Sequence, residues 1–410
     1  MESRPLIGPS IWVGVWIKVG ARHESPSALG ISHLLEHSVF DETRAHPRNK
    51  IISRVERLGG EIGAATSKEY TLYYANVPRD SAKPIVRLML DAIFRPDLTR
   101  EALTKEKRII TDEIRSMPDS PDEYSWHILG QESWRGQALG HPPSGTVRTV
   151  LQVSLRDLLS YWRSNYVPNR VIVTLTGSRI PHEIDEFVEA KLGSLRGRNG
   201  PIRTTPPRFR AGMKMIRAPW QHPLIIASFD SFPTSDKERG SLALLNAVLG
   251  QFNSSRLCNM VRWDRGLAYS IGSRLMEFSD AALFAISAYV EAHKASKAFG
   301  LVVRDCESIA DHGISMRELR EAKQLFRNYL ISKCSLGQEL MELNGKCLIR
   351  RDELFDLNKE LSLVSSISRD DIQSFAKKIF RRERMLLLMI GHLRKSEQKR
   401  VQDTFLEQLE

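Results

Sequence analysis

The second half of this 410-residue chain repeats the first at an offset of about two hundred residues, which constrains the fold to one α/β unit used twice. In the first copy, residues 11–19 are apolar on both faces and read as a central strand. Residues 48–58 carry helical spacing and stop at Gly59-Gly60, as a glycine C-cap would stop them. Residues 61–77, rich in Thr, Tyr and Val, read as two strands turning near Ser67-Lys68. Amphipathic helices are predicted over 82–94 and 99–117, an irregular stretch over 130–149, a helix over 155–166, a strand over 171–176 and a helix over 181–195. In the second copy, residues 223–232 match the strand at 11–19, and 237–249 stand where 28–40 stood. Residues 264–274 and 282–290 parallel 59–77, 295–310 parallel 82–94, and 315–334 parallel 99–117. Between the copies lies a Gly/Pro/Arg/Thr stretch with no apolar period. The division is therefore an N-terminal domain over 1–197, a linker over 198–213 and a homologous C-terminal domain over 214–410.

Only the first copy carries side chains suited to a metal. In residues 28–40 (ALGISHLLEHSVF), His33, Glu36 and His37 fall three and four apart and share a face if the segment is helical. Two imidazoles one turn apart can reach one Zn²⁺, and a carboxylate beside them can take a proton from water there. The order is HxxEH, the reverse of HExxH. A five-residue match is also what a solvated or packed pair of histidines produces. In the helix at 99–117, Glu106 and Glu113 are seven apart and within about 20° of one bearing. They share that helix with Leu103, Ile110 and Ile114, so the charge needs a partner. Pairing to Lys105, Lys107 or Arg108 on an exposed stripe is the alternative. Aligning Gly240 with Gly30 puts Ala243 and Ala247 at the histidine positions, so the second copy is no metal site.

Composition bounds the remaining choices. Hydrophobic residues at 41% and charged residues at 27% are those of an ordinary globular protein. No apolar run reaches membrane-spanning length, so no membrane partner is expected. The first ten residues lack the layout of a signal or mitochondrial presequence, from which a cytoplasmic chain is expected unless this is a processed or trimmed form. Sixty Lys+Arg against forty-nine Asp+Glu leave a formal charge of +11. That excess reads as a solvated basic surface or a preference for acidic partners. No basic stripe interleaved with aromatics points to nucleic acid. Cys258, Cys306, Cys334 and Cys347 have no CxxC spacing and read as free thiols.

With these residues in place, the chain resembles the pitrilysin/insulinase family of zinc peptidases, and most closely its short members, from about Trp12 to Leu393. The family's string around the metal helix is matched by Gly20, Arg22, Glu24, Gly30 and His33 to His37, and its downstream glutamate pair by Glu106 and Glu113. Its substrate strand is matched by Gly59-Gly60, Ala64, Ala65, Thr66, Ser67, Glu69, Thr71 and Tyr73, and its Tyr-x-Pro-Asn element by Tyr166 to Asn169. Ser255-Arg256-Leu257 and the run from Arg262 to Ser270 match its Arg/Tyr element. Two departures stand out. Gly63 occupies a position where members usually carry an asparagine that bonds substrate backbone. About twenty residues that usually form an N-terminal edge strand are also missing, so either residues 1–10 or a partner chain covers that edge, or the start is not the natural one.

The resemblance implies an α+β fold of two homologous domains, each a mostly antiparallel sheet flanked by helices. It implies a zinc endopeptidase in which His33, His37 and Glu113 hold Zn²⁺ and Glu36 is general base and then acid. Glu106 orients a ligand histidine, and a peptide adds as a strand along Gly63, Ala64, Ala65, Thr66 and Ser67. Arg262 would bind substrate and Tyr269 would donate to the oxyanion from across a closed chamber. Short members pair, so a homodimer is expected, or a heterodimer with a metal-free homologue. The substrates implied are unfolded peptides or leader segments. The alternatives are a maturation protease active only with its partner, and a non-catalytic structural subunit.

Overall fold

The computed structural model describes residues 10–41, 50–195, 197, 200, 202 and 204–407. It divides into two compact units, the first comprising 1–131, 136–205 and 332–355, and the second 132–135, 206–331 and 356–410.

The first unit is built on a four-stranded antiparallel sheet of β1 (Ser10–Ile17), β2 (Glu61–Thr66), β3 (Thr71–Pro78) and β4 (Val171–Gly177), in the order β2-β3-β1-β4. Around it run α1 (Ile31–Asp41), α2 (Lys50–Arg57), α3 (Ala82–Phe94), α4 (Arg100–Ser116), α5 (Pro121–Ser133), α6 (Val147–Gln152), α7 (Leu155–Asn165) and α8 (His182–Gly193). As its composition requires, β1 is covered on both faces. Ile11, Val13, Val15 and Ile17 share a core with Leu34 and Leu35 of α1 and Ile85 and Met89 of α3. On the opposite face, Trp16 packs with Leu72 and Met341.

The second unit repeats this plan. Its strands are β5 (Gly212–Ile216), β6 (Leu224–Asp230), β7 (Ala268–Glu277), β8 (Ala282–Val290) and β9 (Met385–Ile390). The order β5-β9-β6-β8-β7 reproduces β4-β1-β3-β2, with β5 added in parallel beside β9. Its helices are α9 (Asp236–Asn246), α10 (Ala295–His312) and α11 (Met316–Cys334), followed after 356 by α13 (Leu357–Ser366), α14 (Arg369–Ile379) and α15 (Lys395–Glu407). The two-domain α+β architecture expected from the duplication is the one observed.

Some boundaries differ from those read in the sequence. The stretch 130–149 is partly helical, holding the end of α5 and the start of α6. Among the described residues of 198–213, those from 204 to 211 belong to no helix or strand, but Gly212 and Met213 already belong to β5, recruited by hydrogen bonds to β9 that leave no sequence period. Coverage of the outer edge of β4 by residues 1–10 falls mostly outside the described residues. The predicted helix start at 48 does too.

Helix α12 (Gly337–Arg351) lies in the sequence range assigned to the second domain, yet it packs on the far face of the first sheet, against β1 and β4. The apolar residues on that face, Trp16 and Leu72, are what it covers. Its approach is close at Gly345, where an added Cβ would come within 2.1 Å of the Trp16 indole. Trp16 cannot swing aside freely, because its Nε1 donates to Thr174 Oγ1 at 2.9 Å. Among the described residues, no helix is long and apolar enough to cross a membrane.

This contact yields a test with an informative sign. In a helix interior Gly→Ala ordinarily stabilises by about 1 kcal/mol, whereas Gly345→Ala is expected to destabilise by about 1–3 kcal/mol through overpacking on Trp16. Urea midpoints of the variant and the parent decide between the two.

Candidate metal centre

The centre is assembled from α1 and α4. The first turn of α1 is held by a buried carboxylate: Glu24 accepts from the backbone N–H of Gly30 at 2.6 Å and of Ser32 at 2.8 Å. These are among the N–H groups that a helix start leaves without intrahelical partners. Burial pushes the Glu24 carboxyl up to about 7, against the pull of Ser32 and Gly30. Leu34, Leu35 and Val39 turn into the core, which leaves His33, Glu36 and His37 on the side that meets α4 and β2. Thr99 caps α4 by accepting from Ala102 N–H at 3.1 Å. Leu103 and Ile110 anchor α4 in the same core, so Glu106 and Glu113 come to bear on the histidines.

His33, His37 and Glu113 each point one ligand atom at a common place, the three lying within 4.8 Å of one another. His33 Nε2 and His37 Nε2 are 3.2 Å apart, and Glu113 Oε2 is 4.0 Å from the first and 3.8 Å from the second. A tetrahedral ion with bonds of about 2.0–2.2 Å spaces its ligand atoms by about 3.3–3.6 Å. The cluster therefore fits a small divalent cation after sub-ångström adjustment. The chemistry of the donors agrees. His37 Nδ1 lies 3.1 Å from the buried carboxylate of Glu106. A carboxylate only accepts, so that nitrogen carries the proton and Nε2 presents its lone pair. Burial, with His37 beside it, pushes His33 down to about 3, which keeps it a neutral donor. Burial also works to lower His37, but Glu106, Glu36 and Glu113 overcome it and the net shift is upward. Glu106 is raised by burial and lowered more by its bonds to His37 and Lys105, for a net downward shift. Among the described residues, no other group of three or more His, Cys, Asp or Glu is placed to hold a metal.

Glu36 is beside the cluster and outside it. Its carboxylate accepts from Thr66 Oγ1 at 2.7 Å. Burial raises its pKa, against the hydrogen bond from Thr66 and the charge of His37. Gly63, Ala64, Ala65 and Thr66 lie in β2, the outer strand of its sheet, and Ser67 begins the turn to β3. Thr66 thus joins the metal helix to the edge where a further strand could add.

Sequence reasoning matched Arg22 and Glu69 to the family pattern and put Ser67 on the peptide strand, but gave no role to Lys68, His127 or His141 beside this turn. Ala21 N–H donates to Ser67 O at 3.1 Å and Arg22 N–H to Lys68 O at 2.8 Å. The Arg22 guanidinium forms a buried ion pair with Glu69 at 2.7 Å. Lys68 is buried and donates to His141 O at 2.9 Å. Burial pushes its ammonium down to about 7. His127 is pushed down to about 4 by burial and by Lys68, and His141 is lowered by the same two causes, against its bond to Ala21. A basic side chain among apolar strand residues carries no such information in one dimension.

Arg262 and Tyr269 belong to the second unit. Arg262 sits on a π-helical segment, Cys258–Trp263, with its guanidinium 4.3 Å from the centre of the Trp263 ring. Tyr269 stands on β7, 76% exposed, its ring near-parallel to His222 at 6.4 Å. Upstream, Arg256 bonds buried Asp305 at 2.8 Å and Glu318 at 3.2 Å.

The profile of the insulinase family (Peptidase family M16) matches residues 8–147, and that of the Peptidase M16 inactive domain matches 152–326. The chain is similar to the uncharacterized zinc protease YmxG of Bacillus subtilis, 28% identical over 389 residues and covering 95% of each chain. It is also similar to an uncharacterized zinc protease of Streptomyces coelicolor, 28% identical and covering 95% of this chain and 86% of the relative. Among solved structures, a protease from Helicobacter pylori shares the fold with a TM-score of 0.87 at 20% identity, covering 94% of this chain and 95% of that one. A Pseudomonas fluorescens structure described as a peptidase M16 inactive domain has a TM-score of 0.85 at 16% identity, with 94% of each chain covered.

Two outcomes are expected. Glu106→Gln should weaken zinc binding about 10–100-fold, measured by competition with a chromogenic chelator, while circular dichroism stays unchanged. For Lys68, the unfolded amine near 10.5 binds more protons than the folded one near 7, so its contribution to stability rises with pH across that window. Lys68→Met removes the slope. Between pH 9.5 and 7 the variant should gain at least about 1.4 kcal/mol on the parent, one pKa unit's equivalent, in urea titrations at the two pH values.

Proposed function

The chain belongs to the insulinase family of M16 peptidases, and from that premise we propose that it is a zinc-dependent endopeptidase acting on unfolded peptides or leader segments. The observation that carries the reading is Glu36, a buried carboxylate with a raised pKa, held by Thr66 between the three-ligand cluster and an edge strand. His33, His37 and Glu113 would hold the zinc. Zinc bound there supplies a Lewis acid and brings the pKa of water near neutrality.

The chain's own groups do the rest. Glu36 takes the proton of the attacking water and returns it to the leaving amine, a role suited to a carboxyl held above its ordinary pKa. Glu106 keeps His37 in one tautomer and one orientation. The outer edge of β2, Gly63 through Thr66, offers backbone groups to a peptide added as a further strand, and Ser67 ends that track. Thr66 holds Glu36 at the end of the strand, where the scissile bond would lie. The proposal includes Arg262 as a substrate-binding group and Tyr269 as hydrogen-bond donor to the oxyanion. It further includes two such chains, identical or homologous, closing a chamber around the peptide in the cytoplasm.

Glu36→Gln tests the mechanism. The variant should retain one zinc per chain by elemental analysis and lose about 10²–10⁴-fold of its hydrolysis of a quenched fluorescent peptide. Turnover retained in that variant would remove Glu36 from the mechanism. Sedimentation equilibrium tests the pairing, with twice the chain mass expected for a homodimer.

A further inference from the structure

We propose that Tyr74 forms the wall of a side-chain subsite for the peptide strand that adds to β2, at the position beside Gly63. The inference rests on the strand-addition reading above. Gly63 and Tyr74 are directly opposed across the β2–β3 pair, and β2 is the outer strand. A Cβ built on Gly63 would lie 2.6 Å from both Cζ and Oη of Tyr74. The ring therefore reaches out over the glycine, and its hydroxyl stands above the edge strand. Trp12 flanks the ring on the inner side, with centroids 6.5 Å apart and planes at 27°.

An aromatic ring laid across an edge glycine stabilises a sheet by itself. Phenylalanine would serve that purpose equally well, so the hydroxyl is unexplained by it. Among the described residues that hydroxyl has no hydrogen-bond partner, and Tyr74 is half-buried. The faces of β2 differ in kind. Ile62 and Ala64 turn into the core and Thr66 turns to Glu36. On the other face, alternation places Glu61 and Ala65, both exposed, on either side of Gly63. A strand added about 4.8 Å from β2 would set one side chain beside Gly63 on this face. With no Cβ between them, that side chain meets the phenol. The ligand class is a large side chain with a hydrogen-bonding end, aromatic or amide, that lies on the ring and bonds its hydroxyl.

The test uses the zinc-loaded full chain. Turnover of a peptide series varied one position at a time gives the preference at each subsite. Anisotropy of the same peptides on the Glu36→Gln variant gives binding without hydrolysis. Tyr74→Phe keeps the ring over Gly63, so fold and zinc content are retained. It should flatten the preference for hydrogen-bonding over aliphatic side chains by three- to tenfold at one position only, in both readouts. Tyr74→Ala should admit bulkier residues at that same position. If the parent cleaves peptides and both variants show its preference at every position, the subsite is refuted and the peptidase reading stands. If the parent neither binds nor cleaves any of the series, strand addition fails and the subsite fails with it.

Discussion

The packing of α4 against α1 is the constraint on which the candidate site depends. The imidazoles and the carboxylate that complete the cluster lie far apart in sequence, and no local geometry brings them together. Leu103 and Ile110 bury one side of α4 in the core that also holds Leu34 and Leu35 of α1. Once those apolar stripes are joined, the phase of each helix decides what else meets. Glu106 falls on His37 Nδ1, and Glu113 falls opposite both Nε2 atoms. Burying the Glu106 carboxylate beside the imidazole of His37 costs desolvation. The hydrogen bond to His37 and the cation the cluster fits are what offset it.

The second constraint is the loop before α1. Within four residues, Ala21 and Arg22 bond the turn after β2, Arg22 pairs with Glu69, and Glu24 caps the metal helix. Helix and edge strand are thereby tied to one short piece of backbone. Thr66 closes the arrangement by holding Glu36. Such buried charge pairs contribute little net stability once desolvation is counted. Here they fix the distance between a cation cluster and a strand edge, which hydrophobic packing alone would leave adjustable.

The duplication shows how far one scaffold can diverge in chemistry while its topology holds. The strand order of one sheet reappears in the other, with a single strand added. The helix corresponding to α1 carries Ala243, with Ala247 at its C-cap, where α1 has its histidines. In the second unit, half-buried Arg256 pairs with buried Asp305 and half-buried Glu318, close to the segment leading to the π-helical turn of Arg262. Fold and site are separable properties of the unit.

The sequence by itself determined the repeat, the two-sided burial of β1, the helix carrying His33, Glu36 and His37, and the shared bearing of Glu106 and Glu113. Each of these is a matter of local periodicity, which one dimension records. Only the tertiary structure decided that α12 covers the first sheet and that β5 forms within a stretch without period. It alone placed Lys68 in a buried basic cluster and Tyr74 over Gly63. These arise from contacts between segments distant in the chain, where the identity of either partner says nothing until the other is beside it. Gly345 shows the reason most plainly: a helix glycine reads as a weakness in sequence and becomes a requirement only when the indole of Trp16 lies against it.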